Sequence, residues 1–181
     1  MNAVVLIYRI LRRINDVIAA VAMALGMAIV AFAAISLFAA AIERHVSGRG
    51  YAWMNDLPPF LLPWCVFPLM GVLYRSGRHI SVEVAPSLLG GHRRHALEFA
   101  ISVIVFSSAV YFCHAGIDAT GFFRMLGEVT ETEIRLPFWA LYAAFPTGFA
   151  ILALFALEAM LRSALAMGGR PMDEAAVEAN S

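Results

Sequence analysis

Four long apolar stretches, separated by short polar segments, set the pattern of this chain: Val17–Ile42, Pro58–Tyr74, Phe99–Ile117 and Phe138–Leu161. Each is near the length that crosses ~30 Å of hydrocarbon at ~1.5 Å per residue. The pattern predicts an all-α integral membrane protein with four transmembrane helices, at about residues 17–42, 58–74, 96–117 and 138–161. The breaks between them are too short to hold a separate soluble domain, so residues 1–167 read as one membrane domain. Residues 168–181 are small, acidic and expected to be a disordered cytoplasmic tail. The first apolar run is too long for the core of a cleaved signal peptide, so it is read as a retained helix.

The polar positions refine each element. Ahead of the first span, Arg9, Arg12, Arg13 and Asp16 recur at helical spacing opposite Val5, Leu6, Ile10, Leu11 and Ile14. This predicts an amphipathic N-terminal segment at the interface, with a plain extension of the first span as the equal alternative. Within that span Ala20, Ala24 and Ala28 form one row of small residues and Ala22 and Gly26 another, a feature that lets helices approach closely in lipid. The second span carries Pro58, Pro59, Pro63 and Pro68, so neighbouring helices must cover the carbonyls these prolines leave free. Between spans two and three, Ile80, Val84 and Leu88 recur every four residues and predict a short interfacial helix or re-entrant turn. Glu158 and Arg162 stand four apart and are expected to neutralise each other.

Basic residues decide orientation. Arg9, Arg12 and Arg13, then Arg75, Arg78, Arg93 and Arg94, then Arg162 and Arg170 lie on one side; Arg44, Arg49, Arg124 and Arg135 lie on the other. The richer side is cytoplasmic, which puts both termini inside and the 43–57 and 118–137 loops outside. Composition agrees with a membrane chain: 61% hydrophobic residues, 14% charged and no net charge, where soluble domains carry roughly a quarter charged.

The candidate chemistry is sparse. Cys65 and Cys113 have no motif spacing and read as small buried apolar residues. A bis-histidine haem site needs two imidazoles facing each other, and His45 with His114 is the one pairing near the outer ends of the spans. His79, His92 and His95 are interfacial and lack the helical spacing that a metal site favours. The span interiors hold few ionisable groups, with Glu98, Asp118 and Glu158 placed at span ends, so no ion path is evident. A scaffold or accessory subunit, not an enzyme, is the expected class. No cofactor is expected. A haem- or quinone-binding anchor of a respiratory complex is the alternative, and a four-span membrane enzyme that binds glutathione is a third reading.

The segment Leu69–Val84, LMGVLYRSGRHISVEV, resembles the signature of the small membrane subunit of tripartite ATP-independent periplasmic (TRAP) transporters. The features carrying it are Gly71, Arg75, Gly77, Arg78, His79, Ile80, Val82 and Glu83, with Trp53 and Asp56 ahead of the second span. The proline set and an Asp at position 56, where Glu is commoner, depart from the family pattern. The resemblance implies a DctQ-type subunit in the bacterial inner membrane, paired with a large multi-span permease subunit that carries substrate and sodium. It also implies a periplasmic substrate-binding protein that delivers an organic acid. On this reading Arg75, Gly77, Arg78, His79 and Glu83 form the family motif and anchor the chain at the lipid headgroups. Arg44, Arg49, Arg124, Glu128, Glu131, Glu133 and Arg135 are candidate contacts for the receptor.

Overall fold

The computed structural model describes residues 3–48, 52–76, 92–131 and 134–167. These form α1 (Ala3–Ser47), α2 (Ala52–Arg75), α3 (His92–Leu126), the short α4 (Phe138–Tyr142) and α5 (Ala144–Met167). Four helical stretches are long and apolar enough to cross a membrane: Leu6–Val46, Trp53–Arg75, His95–Leu126 and Phe138–Met167. The segment expected as an interfacial helix, around residues 80–88, and the tail from residue 168 lie outside the described residues.

The helices form an open row. α1 packs on α2, α2 on α5 and α5 on α3; α1 also touches α5, while α1 and α3 make no contact among the described residues. The reason lies in where small residues fall. A Cβ at Gly148 of α5 would stand 2.5 Å from Phe67 of α2, and one at Gly71 of α2 would meet Ile151 of α5 at 3.0 Å. Gly116 of α3 is pressed the same way against Phe145 and Pro146 of α5. Close backbone approach replaces the hydrophobic drive that lipid cannot supply. Around these crossings Phe67, Phe112, Phe145 and Phe149 interlock, with ring centroids 4.6 Å apart for Phe145–Phe149 and 5.0 Å for Phe67–Phe145.

α1 runs unbroken from Ala3, so nothing separates the amphipathic N-terminal segment from the first span. Its inward face is a seam of alternating steps of four and three: Asn15, Ala19, Ala22, Gly26, Ile29, Ala33, Ser36 and Ala40, with Ala33 partly covered and the rest buried. That 3.5-residue period is the mark of left-handed coiled-coil packing. Ala22 and Gly26 therefore pack inside the chain, whereas Ala20, Ala24 and Ala28 face outward. A strict four-residue row drifts around a helix and cannot follow such a seam.

α2 stays helical through all four prolines. Pro58 cannot donate to the carbonyl of Met54, and that oxygen instead accepts a hydrogen bond from Ser36 Oγ of α1 at 2.9 Å. Gly127, at φ +66°, ends α3 in the left-handed conformation that favours glycine. α3 accordingly runs past Ile117 to Leu126, so Asp118 stands inside the helix and not at its end.

Candidate functional site

A polar cluster ties α1, α2 and α5 together at one end of the row. Arg75 closes α2, and its Nη2 lies 2.7 Å from Asp16 Oδ1 of α1. The same guanidinium grips Glu158 of α5 with two nitrogens, Nη2 to Oε1 at 3.2 Å and Nε to Oε2 at 3.1 Å. Asn15, fully buried, donates from Nδ2 to Glu158 Oε2 at 2.7 Å and to the carbonyl of Leu154 at 3.3 Å. Beneath the guanidinium lies the ring of Phe155, 5.5 Å from its centre. Arginine suits this place because its planar fork serves two carboxylates and an aromatic face at once. One residue along, Tyr74 bridges to Ser102 Oγ of α3 at 3.3 Å, which brings the fourth helix to the same level.

This arrangement corrects one expectation. Glu158 pairs with Arg75 and Asn15, and Arg162 points outward, exposed. An acid facing two donors across a helix crossing is better satisfied than one reaching a turn along its own exposed helix face.

The cluster and the Ser36–Met54 hydrogen bond lie ~30 Å apart along α1 at ~1.5 Å per residue, the depth of a bilayer's hydrocarbon core. The two fastenings of α1 are thus spaced by about the depth of a hydrocarbon core. Toward the Ser36 end, residues 127–131 and 134–138 pair as the two arms of a small hairpin through an antiparallel bridge at Val129 and Pro137. Thr130 N donates to Leu136 O at 2.9 Å and Phe138 N to Glu128 O at 3.1 Å. Thr130 Oγ1 closes the turn by donating to Ile134 O and accepting from Leu136 N. With the start of α2 the hairpin forms a shallow crevice lined by Trp53, Asp56, Leu57, Phe60, Thr130, Ile134 and Leu136. Behind it Trp64 donates to Ala140 O at 3.0 Å, in α4 just ahead of the break before α5.

Of the motif residues, Arg75 is the one the structure describes; Gly77, Arg78, His79 and Glu83 lie outside the described residues. On the opposite side, Arg124 is exposed over the ring of Trp139 at 5.9 Å, and Glu128, Glu131 and Arg135 are exposed on or beside the hairpin. Arg44 is exposed near the end of α1, while Arg49 and Glu133 lie outside the described residues. His45 and His114 are not brought together: they sit on α1 and α3, which do not touch, and His114 Nδ1 lies 3.1 Å from Asp118 Oδ2 instead.

Asn15 and the pairing of Glu158 escaped the sequence reading. The signal for Asn15 was its place in the 3.5-residue seam, a polar position between apolar turns. Nothing local links Glu158 to Arg75.

Four apolar helices define a multi-pass helical membrane protein, and an ion-pair cluster fastens three of its helices. The chain matches the family model for the DctQ component of tripartite ATP-independent periplasmic transporters over residues 33–166, and it belongs to that family. Neither the curated proteins nor the solved structures gave a match. Arg75 and Glu158 fall within the matched stretch; Asn15 and Asp16 precede it.

Proposed function

We propose that this DctQ-family chain is the stationary scaffold of its transporter, holding the large permease subunit while that subunit carries an organic acid driven by an ion gradient. The observation that carries this reading is the Asp16–Arg75–Glu158–Asn15 cluster. Its ionisable groups hold three helices to one another. Intramembrane ionisable groups of carriers instead serve ion or substrate paths. A helix row fastened in this way suits a fixed element against which another subunit moves.

On this reading the chain lies in the bacterial inner membrane with both termini inside, and the cluster marks the cytoplasmic border. Arg75 with Gly77, Arg78, His79 and Glu83 then lies at the cytoplasmic headgroups. The hairpin and the outer helix ends face the periplasm, where Arg44, Arg49, Arg124, Glu128, Glu131, Glu133 and Arg135 offer charges to the substrate-binding protein. Sodium coupling and the substrate site belong to the large subunit.

The test is reconstituted uptake. Proteoliposomes holding both membrane subunits and the receptor are compared with ones lacking this chain. The scaffold reading expects uptake only with both subunits. Charge reversal at Arg124 and Glu131 is expected to weaken receptor-dependent uptake; unchanged transport would remove the docking role.

A further inference from the structure

α3 presents an ionisable pair to the outside of the bundle. His114 and Asp118 contact each other at 3.1 Å, yet their side chains are 80% and 69% exposed. With the Arg75 cluster taken as one border, both fall within the depth of a hydrocarbon core. Ser102 of α3 meets Tyr74 beside the Arg75 cluster, and from that level α3 rises ~18 Å to His114 and ~24 Å to Asp118 within a core of ~30 Å. Beyond each other, hydrocarbon offers the two groups no hydrogen-bond partner, and ionisable residues at such depth face protein or water.

The pair belongs to a regular seam. Ser107, Tyr111, His114, Asp118, Gly121 and Met125 recur at alternating steps of four and three, and all are exposed. Tyr111 is 72% and Met125 88% exposed, and a Cβ at Gly121 would meet nothing within 4 Å. A 3.5-residue period is the seam a helix offers a partner in left-handed packing, with Gly121 leaving room for close approach. α1 uses the same period for its contact inside the chain.

We infer that this face of α3 is the seat of a transmembrane helix of the large permease subunit, one that presents a hydrogen-bond donor or a cation to Asp118. The assignment rests on the proposed role of the chain as the small subunit. Charge argues for a foreign helix over a second copy. Copies of one chain insert in the same direction, and two-fold pairing along this seam sets Asp118 against Asp118 at equal depth. Like charges so placed repel, while a donor or cation satisfies the acid.

The experiment co-expresses the chain with its large subunit and reads co-purification in mild detergent. Replacing both polar groups, His114→Leu with Asp118→Leu, is expected to lower the large subunit recovered by roughly three- to twentyfold, the range of interhelical hydrogen bonds in membranes. A photo-crosslinking residue in place of Tyr111, in the otherwise unaltered chain, is expected to link to the large subunit, which decides the matter even where the double variant folds poorly. Cross-links to a second copy or to lipid alone, or undiminished recovery, overturn the assignment while leaving the subunit role in place. If the unaltered chain recovers no large permease, the subunit role and the α3 assignment fall together.

Discussion

Arg75 and Glu158 stand on helices separated by most of the chain, yet they meet through two nitrogen–oxygen contacts of 3.1 and 3.2 Å. Removing one partner strands the other at the edge of a low-dielectric slab. Glu158→Ala and Arg75→Ala are each expected to destabilise the isolated chain by ~2–4 kcal/mol, near the range for broken buried pairs. Arg75→Lys is expected to recover little, because an ammonium cannot hold both carboxylate oxygens in the plane of a fork. Asp16→Asn is expected to cost under ~1 kcal/mol, since its carboxylate is 59% exposed. Unfolding in mixed micelles checks the order; an equal loss for Asp16 and Glu158 would show that burial does not rank the two contacts.

Asn15 donates to Glu158 and to the Leu154 carbonyl from a fully buried position. Asn15→Leu keeps the volume and removes the donor, with an expected loss of ~1–3 kcal/mol from an acceptor left short of a partner. Asn15→Asp places a third carboxylate in the cluster and is expected to be worse. The same unfolding measurement separates them.

Gly148 has no room for a side chain against Phe67, while Gly121 has open space. Gly148→Ala is expected to force α2 and α5 apart and cost ~1–3 kcal/mol. Gly121→Ala is expected to leave the isolated chain's stability unchanged or slightly raised, because alanine favours the helix by up to ~1 kcal/mol. Thermal stability in one detergent compares the two, and equal effects would contradict the helix row described.

Orientation gives a separate expectation. A cysteine at Arg135 of the outer hairpin is expected to react with an impermeant thiol reagent from the periplasm, and one at Arg162 only after the membrane is opened. Cys65, buried beside Gly26, is expected to stay unreactive on both sides. Labelling of residue 162 in intact cells would reverse the topology.

The four spans were legible because hydropathy over twenty residues is a local property. The end of the third was not: the apolar run stops at Ile117 and Asp118 looks like a span end, but the helix continues until Gly127 turns it at positive φ. The proline-rich second span raised the question of which groups would meet its freed carbonyls, and Ser36 is the answer for Met54. Arg75 stood out as part of the family motif, as a lipid anchor. Its partners were hidden because Asp16 and Glu158 are remote in sequence and each carried a plausible local role. Which of the two small-residue rows packs inside the chain was not legible, since the contact follows a 3.5-residue period that selects Ala22 and Gly26 and leaves Ala20, Ala24 and Ala28 outward.

The most direct test of the scaffold role is the substrate dependence of reconstituted uptake by the complete transporter, with unaltered chain and with Glu158→Ala. A stationary scaffold predicts a lower maximal rate in proportion to the complex that assembles, with KM for the transported acid unchanged. A shift in KM or in substrate preference at equal complex content would contradict it and would place this chain in the transport path.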